Sequence, residues 1–337
     1  MLLQQLILTI TFLIIVFNSF SSALSNAVVP DTLKDYNIVI ENEENLYTIK
    51  DRKSYEHELS FKATILNKEG EKYIEMLTTT VYDKFSKVEN VECVLNEVNG
   101  KQIKKYKEKD FTDYALGGNY ALVADNRCKF ININHAIFPY VITFYARVKS
   151  YNTMFYPIWH IERYPQNTLV RSSIFTINVA SGLDIRHKSE NAGTPEISKN
   201  EKNVTYRWKL VKVAVKKPKP YQLPELYEPL IITTATNFYI DEYEGRLSDW
   251  NEFGKFNQQL LKGRQELPDD FKAKVTELIA DKKDKKEIVR TLYEFMQKNT
   301  RYVSIQLGIG GWQPFDAAFV AKNGYGDCKA LSNFMMS

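Results

Sequence analysis

The chain has 337 residues, of which 44% are hydrophobic and 26% charged, so it can bury a sizeable core and is long enough for two domains. The formal net charge of +4 is spread along the chain, and lysine-rich stretches such as residues 281–287 also contain acidic residues. This pattern excludes the concentrated basic face that a nucleic-acid partner would require, and we expect no such partner.

The N-terminal segment has the pattern of a signal peptide. Residues 6–17 are apolar or Thr, and no charged side chain precedes Asp31. The run is short for a bilayer span but suits the apolar part of a signal peptide. Cleavage after Ala23, Ser25 or Ala27 fits the small residues; an uncleaved anchor is the alternative, because MLLQQ lacks Lys and Arg. We assign residues 1–25 to a signal peptide. We expect the protein to be exported (periplasmic, cell-surface or secreted). It would contact the membrane only through this segment, if the segment is not cleaved.

Residues 35–215 have the pattern of a β-rich domain. Apolar and polar residues alternate at 55–65, 175–179 and 204–210, and short polar turns separate the runs without intervening helices. This predicts an antiparallel β-sandwich that folds independently. The four histidines lie here without metal-ligand spacing, and we expect neither a metal nor a cofactor: His57, His135, His160 and His187.

The three cysteines leave at least one free thiol per chain. Cys93 and Cys128 both lie in strand-like stretches of the β-rich domain, where they would be buried small side chains or form a disulfide. The sequence leaves these two alternatives open. Cys328 lies in a different domain and in a different local context.

A proline-rich stretch separates two kinds of periodicity. Residues 216–232 contain four prolines, which favour extended backbone, and we predict a linker there. Residues 269–281 and 284–296 then show helical periodicity, with Asp284 as the N-cap of the second helix. We therefore predict a second domain over residues 233–337.

The sequence NGYGDCKALSNFMMS (residues 323–337) contains a cysteine in a reactive setting. Gly326 permits a sharp turn, and Asp327 is a good helix N-cap. Cys328 would then lie at a helix N-terminus, where free N–H groups and the helix dipole stabilise a thiolate, and Lys329 adds positive charge. A buried structural cysteine beside a cap is the alternative.

Together with LYEFMQKNTRYVSIQLGIGGWQP (residues 292–314), this motif resembles the start of a transglutaminase-like cysteine core. More narrowly, it resembles the type found in exported bacterial proteins behind a β-rich domain of unknown function (DUF3857). The resemblance covers nearly the whole mature chain. It implies an α+β protein: an N-terminal antiparallel β-sandwich followed by the helical first part of a transglutaminase-like (papain-like cysteine) core.

The resemblance also implies roles for residues. Cys328 would be the nucleophile that attacks a protein or peptide amide and forms a thioester, assisted by a downstream His and Asp. Trp312 or Gln306 would supply an oxyanion donor or support the site. No cofactor is implied.

No histidine or aspartate follows Cys328. We therefore expect an incomplete catalytic domain that is inactive as the 337-residue chain, with an apolar face of the Cys328 helix left without partners. The alternative function is a non-catalytic exported β-sandwich module that binds a partner or a cell-surface polymer and carries a vestigial catalytic stub.

Overall fold

The structure is a computed structural model that describes residues 30–116, 122–216 and 228–337. The predicted signal peptide and residues 217–227 of the predicted linker lie outside the described residues. Within the described ranges, no helix is long and apolar enough to cross a membrane.

Most of the described chain before the last hundred residues is β-strand. The strands, in chain order, are β1 (Ile38–Ile49), β2 (Tyr55–Ile65), β3 (Thr80–Tyr82), β4 (Ser86–Glu97), β5 (Gln102–Lys107), β6 (Thr112–Ala115), β7 (Val123–Ala124), β8 (Arg127–Phe130), β9 (Tyr140–Ser150), β10 (Ile158–His160), β11 (Thr168–Ala180), β12 (Ile185–Glu190), β13 (Glu196–Lys199), β14 (Asn203–Val215), β15 (Leu230–Ala235), β16 (Asn237–Ile240), β17 (Tyr243–Arg246), β18 (Arg301–Tyr302), β19 (Ile305–Gln306) and β20 (Tyr325–Gly326).

The α-helices are concentrated in the C-terminal part. They are α1 (Lys68–Glu71), α2 (Ile74–Thr78), α3 (Trp250–Leu261), α4 (Asp269–Ile279), α5 (Lys285–Asn299), α6 (Ala317–Asn323) and α7 (Cys328–Met336).

One eight-stranded sheet dominates the molecule, in the order β13-β14-β11-β1-β2-β9-β4-β5. Two three-stranded sheets, β10-β15-β12 and β3-β8-β6, accompany it. The prediction of a purely antiparallel sandwich is wrong in one respect, because β1 and β11 pair in parallel. Alternation of apolar residues shows which face of a strand is buried but carries no information about the direction of its neighbour, and the long connection from β1 to β11 permits the parallel pairing.

The alternating core positions of the predicted strands are confirmed. On β2, Leu59 and Phe61 are 7% and 4% exposed, and they pair across the sheet with β1. Phe175 and Ile177 on β11 and Trp208 on β14 are buried. Each of these strands therefore directs its apolar side chains into one large hydrophobic core.

This core continues past the proline-rich segment. Strand β15 is the middle strand of its sheet and pairs with β10 and β12, which precede the linker in sequence. Phe238 on β16 and Phe256 on α3 are buried in the same core, with ring centroids 4.9 Å apart. We therefore define the β-rich region as residues 30–261, whereas the sequence predicted a linker at 216–232.

The remainder of the chain is the C-terminal region, residues 262–337. Helix α5 begins as predicted, with Asp284 Oδ2 accepting a hydrogen bond from the Glu287 amide at 3.2 Å. The fully buried apolar side chains of this region form a separate small cluster, to which α6 and α7 contribute: Ala317, Val320, Ala330 and Phe334.

Candidate active site around Cys328

Cys328 is an exposed free thiol at the first position of α7. Asp327 caps this helix, since its Oδ1 accepts a hydrogen bond from the Ala330 amide at 2.9 Å, and its side chain is buried. Lys329 Nζ donates to the other oxygen of Asp327. A Cβ atom on Gly326 would lie 2.8 Å from the Ala330 Cβ, so the close contact of β20 with α7 requires glycine. The predicted cap is confirmed, and the thiol faces solvent. The predicted turn at Gly326 is wrong, because Gly326 belongs to β20 and the left-handed residue of this segment is Gly324, with a φ of 67°.

Helix α7 is anchored by its buried side. Phe334 is 8% exposed, and its ring centroid lies 5.2 Å from that of Phe271 on α4. Asn333 Nδ2 donates to the backbone oxygens of Arg264 at 2.7 Å and of Phe315 at 3.3 Å. The face expected to lack partners consists of Leu331, Phe334 and Met335. The expectation is wrong for Phe334, because α4 and α6 supply partners, and for Leu331, which is half-buried against the same cluster.

The segment 301–306 lies beside the strand that leads into Cys328. Strand β18 pairs in parallel with β20, and the Val303 amide donates to the Gly326 oxygen at 3.0 Å. On its continuation, β19 pairs in parallel with β7 of the β-rich region. The Leu122 amide donates to the Ser304 oxygen at 2.7 Å, which places this segment between the Cys328 helix and the β-rich region.

The two predicted oxyanion candidates have different environments. Gln306 is exposed on β19, and its Nε2 donates to Ser304 Oγ at 3.2 Å. Trp312 packs against the β-rich region, with its ring centroid 5.6 Å from Phe155 and 6.4 Å from Phe253. In the described part of the chain, neither residue forms a hydrogen bond with Cys328. Gln306 lies four residues beyond the β18–β20 pairing, on a strand that pairs with β7, whereas Trp312 contacts the β-rich core.

The histidines remain in the β-rich region. His57 Nε2 lies 2.7 Å from Asn45 Oδ1, the His135 ring meets Tyr140 edge-on, and His187 packs in the same way against Trp208. His160 Nδ1 lies 3.8 Å from Glu162. Each histidine thus has a local partner, and none contacts Cys328. Residues 30–116, 122–216 and 228–337 contain no group of three His, Cys, Asp or Glu side chains placed to hold a metal ion.

The other two cysteines are buried and unpaired. Cys93 on β4 and Cys128 on β8 are free thiols, so of the two alternatives left open by the sequence, the structure has buried small side chains. Burial raises the pKa of the Cys93 thiol to about 12, and burial also raises the pKa of Cys128. Both are therefore protected thiols, in contrast to the exposed Cys328.

One contact at the site was not predicted from the sequence. Asp125 directly follows β7, and its Oδ2 accepts a hydrogen bond from the Gly308 amide at 2.9 Å. Gly308 has a φ of 54°, the left-handed region that glycine tolerates best. The partners are 183 residues apart in sequence, and no local pattern indicates such a contact.

The fold and the site together define an α+β protein in which a β-rich region precedes a helical region with an exposed cysteine. A family model described as "Domain of Unknown Function with solved-structure structure (DUF3857)" matches residues 51–217. No curated protein matches the sequence.

Solved structures with a similar fold were also found. A protein of Parabacteroides distasonis described as a "putative protease" matches with a TM-score of 0.61 and 12% sequence identity, over 89% of this chain and 57% of that protein. This chain thus spans 57% of the length of that protein. An M1 zinc metallopeptidase of Deinococcus radiodurans matches with 7% identity and a TM-score of 0.29, over 73% of this chain and 53% of the metallopeptidase chain. The first likeness shows a shared fold; the second is too low to support an argument.

Proposed function

We propose that the chain is the N-terminal portion of an exported transglutaminase-like cysteine enzyme, which acts on protein or peptide amides through a thioester. The observation that carries this proposal is the exposed Cys328 thiol at the N-terminus of the anchored helix α7. The exposed sulfur is accessible to a substrate, and a cysteine sulfur is the nucleophile in covalent catalysis of this type.

In the proposed reaction, the Cys328 sulfur attacks the amide carbonyl and gives a tetrahedral intermediate. Collapse of the intermediate breaks the C–N bond, releases the amine and leaves a thioester, which an amine or water then resolves. The proton from the thiol passes to a general base and then to the leaving amine. Gln306 is the favoured candidate for an oxyanion donor, because its side chain is exposed and it lies four residues after β18, which pairs with the strand that leads to Cys328.

The four histidines lie in the β-rich region and do not contact Cys328, so the proposed general base is another residue. In the proposal, as the resemblance to transglutaminase-like cores implies, the histidine and aspartate of the triad are residues outside these 337. The 337-residue chain by itself is then expected to lack acyl-transfer activity. Export through residues 1–25 belongs to the same proposal.

The test is to express the chain with the codons that follow residue 337 in its gene, and to compare the product with the 337-residue chain. Amine incorporation and ammonia release from a glutamine-containing peptide, together with hydrolysis of the same peptide, distinguish transfer from hydrolysis. We expect activity in the longer protein alone, and its complete loss in Cys328→Ala. Cys128→Ala is the matched control and should retain activity, provided that its thermal unfolding remains cooperative.

Two outcomes would contradict the proposal. Activity in the longer protein that survives Cys328→Ala would show that this thiol is not the nucleophile. Activity in the 337-residue chain that is lost in Cys328→Ala would show that a histidine of the β-rich region serves as the base. Absence of activity in both proteins would favour the alternative, a non-catalytic exported module that binds a partner or a cell-surface polymer.

A further inference from the structure

A cleft in the β-rich region contains polar side chains that the proposed reaction does not use. Two adjoining cavities of about 350 and 340 Å³ share the side chains of Tyr47, His57, Leu59 and Thr79 as walls. We call the combined space the Tyr47 cleft. Each cavity alone reaches the lower size limit of small-molecule sites in proteins. Strands β1 and β2 form its floor, and helix α2 and strand β10 contribute to its sides.

A compensated ion pair lies at one end of the cleft. Glu43, 2% exposed, accepts hydrogen bonds from Ser173 Oγ at 2.9 Å and from Arg163 Nη1 at 3.3 Å. The Ser173 hydroxyl in turn accepts from Trp159 Nε1 at 3.0 Å. A guanidinium has five N–H donors, and in the described chain only one of those on Arg163 has an acceptor. The remaining donors are available to a molecule in the cleft.

A buried polar side chain with an unpaired donor lines one half of the cleft. Asn45 is 4% exposed, and its Oδ1 accepts from His57 Nε2 at 2.7 Å, but within the described residues its Nδ2 has no acceptor. This donor is available to a ligand or to water in the cleft. In the other half, the hydroxyl of Thr80 also has no partner in the described part of the chain, but protein atoms enclose it, so it adds no donor or acceptor to the site.

His57 contributes an acceptor and no charge. Burial, with a smaller contribution from the charge of Arg163, lowers the pKa of His57 to about 3, so the ring is neutral at pH 7. Since Nε2–H donates to Asn45, Nδ1 is left as an acceptor. The Tyr47 ring stacks on His57 with centroids 4.1 Å apart and meets Phe175 edge-on at 5.9 Å. The cleft thus combines aromatic surface with both donors and acceptors.

The charges of the cleft disfavour an anionic ligand. Glu43 and Arg163 compensate each other and His57 is neutral, while Asp83 adds a carboxylate at the far end. That carboxylate already accepts from the Phe85 amide at 2.9 Å and from Ser86 Oγ at 2.6 Å. A second anion would bring unbalanced charge into a site with little water, at high cost.

We propose that the Tyr47 cleft is a binding site for a neutral polyhydroxylated ligand, a sugar of one or two residues. Each sugar hydroxyl both donates and accepts, which matches the donors of Arg163 and Asn45 and the acceptor of His57. The C–H face of a sugar ring can pack on the aromatic ring of Tyr47. The same chemistry is offered by a free sugar and by the end of a polysaccharide.

The test is isothermal titration calorimetry of the full chain with glucose, N-acetylglucosamine, cellobiose, chitobiose and chitohexaose. Glucuronate, glucosamine and the capped peptide acetyl-Ala-Ala-Ala-amide are the charged and non-sugar probes. Asn45→Leu should weaken the binding of the best sugar about tenfold or more, because it removes hydrogen bonds and leaves others unpaired. Asn178→Leu is the matched control, since Asn178 lies outside the cleft and accepts from Thr205 Oγ1.

If Asn45→Leu does not unfold cooperatively, Tyr47→Phe is the second variant. This substitution removes only a hydroxyl from the wall of the cleft, and we expect it to reduce the affinity for the sugar. Equal affinities for disaccharide and hexasaccharide would identify a free sugar or chain end, and tighter binding of chitohexaose would identify a polymer. The proposal is overturned if no neutral sugar binds at millimolar concentration, which would leave a water-filled cleft. Tighter binding of glucuronate, glucosamine or the capped peptide would overturn it as well.

Discussion

The two regions of the molecule differ in how much apolar side chain they bury. The β-rich region directs alternating residues of long strands into one large core, which includes the fully buried Trp159 and Trp208. In the C-terminal region, neither α4 nor α5 contains a buried residue, and Val289 on α5 is 58% exposed. Since burial of apolar surface is the main stabilising contribution, we expect the β-rich region to be much the more stable of the two.

The candidate nucleophile belongs to the less stable region, but that region is attached at defined points. The Leu122 amide of the β-rich region donates to the Ser304 oxygen at 2.7 Å, and β19 pairs with β7. Trp312 also packs against Phe253 of α3. These contacts indicate that the β-rich region positions the segment beside Cys328, in keeping with the location of functional sites on less stable elements supported by a rigid scaffold.

The largest expected effect comes from a comparison of two truncated chains, which end at residues 215 and 263. A chain of residues 28–215 lacks β15, the middle strand of its sheet, and the core side chains Phe238 and Phe256. We expect it to lose cooperative thermal unfolding, whereas residues 28–263 should unfold in one transition measured by circular dichroism. The sequence alone predicts that residues 35–215 fold independently. A cooperative transition in the 28–215 chain, near that of the longer chain, would support the earlier boundary.

Removing one aromatic ring from each region gives the next largest effect. Phe256 is fully buried, and Phe256→Ala should cost about 3–5 kcal/mol in the free energy of unfolding of the β-rich region. Phe334 lies in the small cluster, and Phe334→Ala should cost about 2 kcal/mol, felt by the C-terminal region alone. Urea unfolding followed by tryptophan fluorescence measures the first, and hydrogen exchange of α7 measures the second. Trp250→Ala, at a site 87% exposed, is the control and should change stability little.

If Phe334→Ala destabilised both regions equally, the two would unfold as one unit, and the proposed difference in stability between them would be wrong.

The sequence predicted strands and helix caps better than it predicted which elements contact each other. The strand at 55–65 was predicted with its bounds and its buried side, because residues such as Leu59 and Phe61 alternate with polar ones. The caps Asp284 and Asp327 were predicted because capping depends on a few adjacent residues. The parallel neighbour of β1 could not be predicted, since alternation does not encode strand direction.

The long-range features of the sites were missed for a related reason. The contact of Asp125 with Gly308 joins residues far apart in sequence, and a single sequence gives no sign of it. The sequence weakly indicates the Tyr47 cleft, because Glu43 and Asn45 occupy buried positions of β1 where apolar residues are expected. Polar residues at such positions of a strand could have been marked as a site before the fold was known.

A smaller effect is expected from removal of the helix cap at the candidate active site. Asp327→Ala deletes the acceptor for the Ala330 amide and should destabilise the first turn of α7 by about 1 kcal/mol. Faster hydrogen exchange of the Ala330 and Leu331 amides is the expected result, and Asp327→Asn, which retains an acceptor, should restore part of the protection. Asp270→Ala is the control, since Asp270 is an exposed carboxylate in the first turn of α4. Unchanged exchange in Asp327→Ala would contradict the role of Asp327 as the cap.

The smallest effect should appear in the acid stability of the β-rich region. Hydrogen bonds from Lys129, Tyr82 and Arg127 hold the pKa of Asp113 below its usual range, although its side chain is 32% exposed. A lowered folded-state pKa adds stability that is fully present above the unfolded value of about 3.9 and is lost as the pH falls through the folded pKa. Asp113→Asn should therefore cost under about 1 kcal/mol of unfolding free energy at pH 7, and its difference from the native chain should shrink below pH 3.9.

Urea unfolding midpoints measured from pH 7 into the acid range give this difference. Tyr82→Phe, which removes one of the three donors to Asp113, should lose part of the same pH dependence. A difference that stays constant from pH 7 through the acid range would show that the ionised Asp113 does not stabilise this cluster.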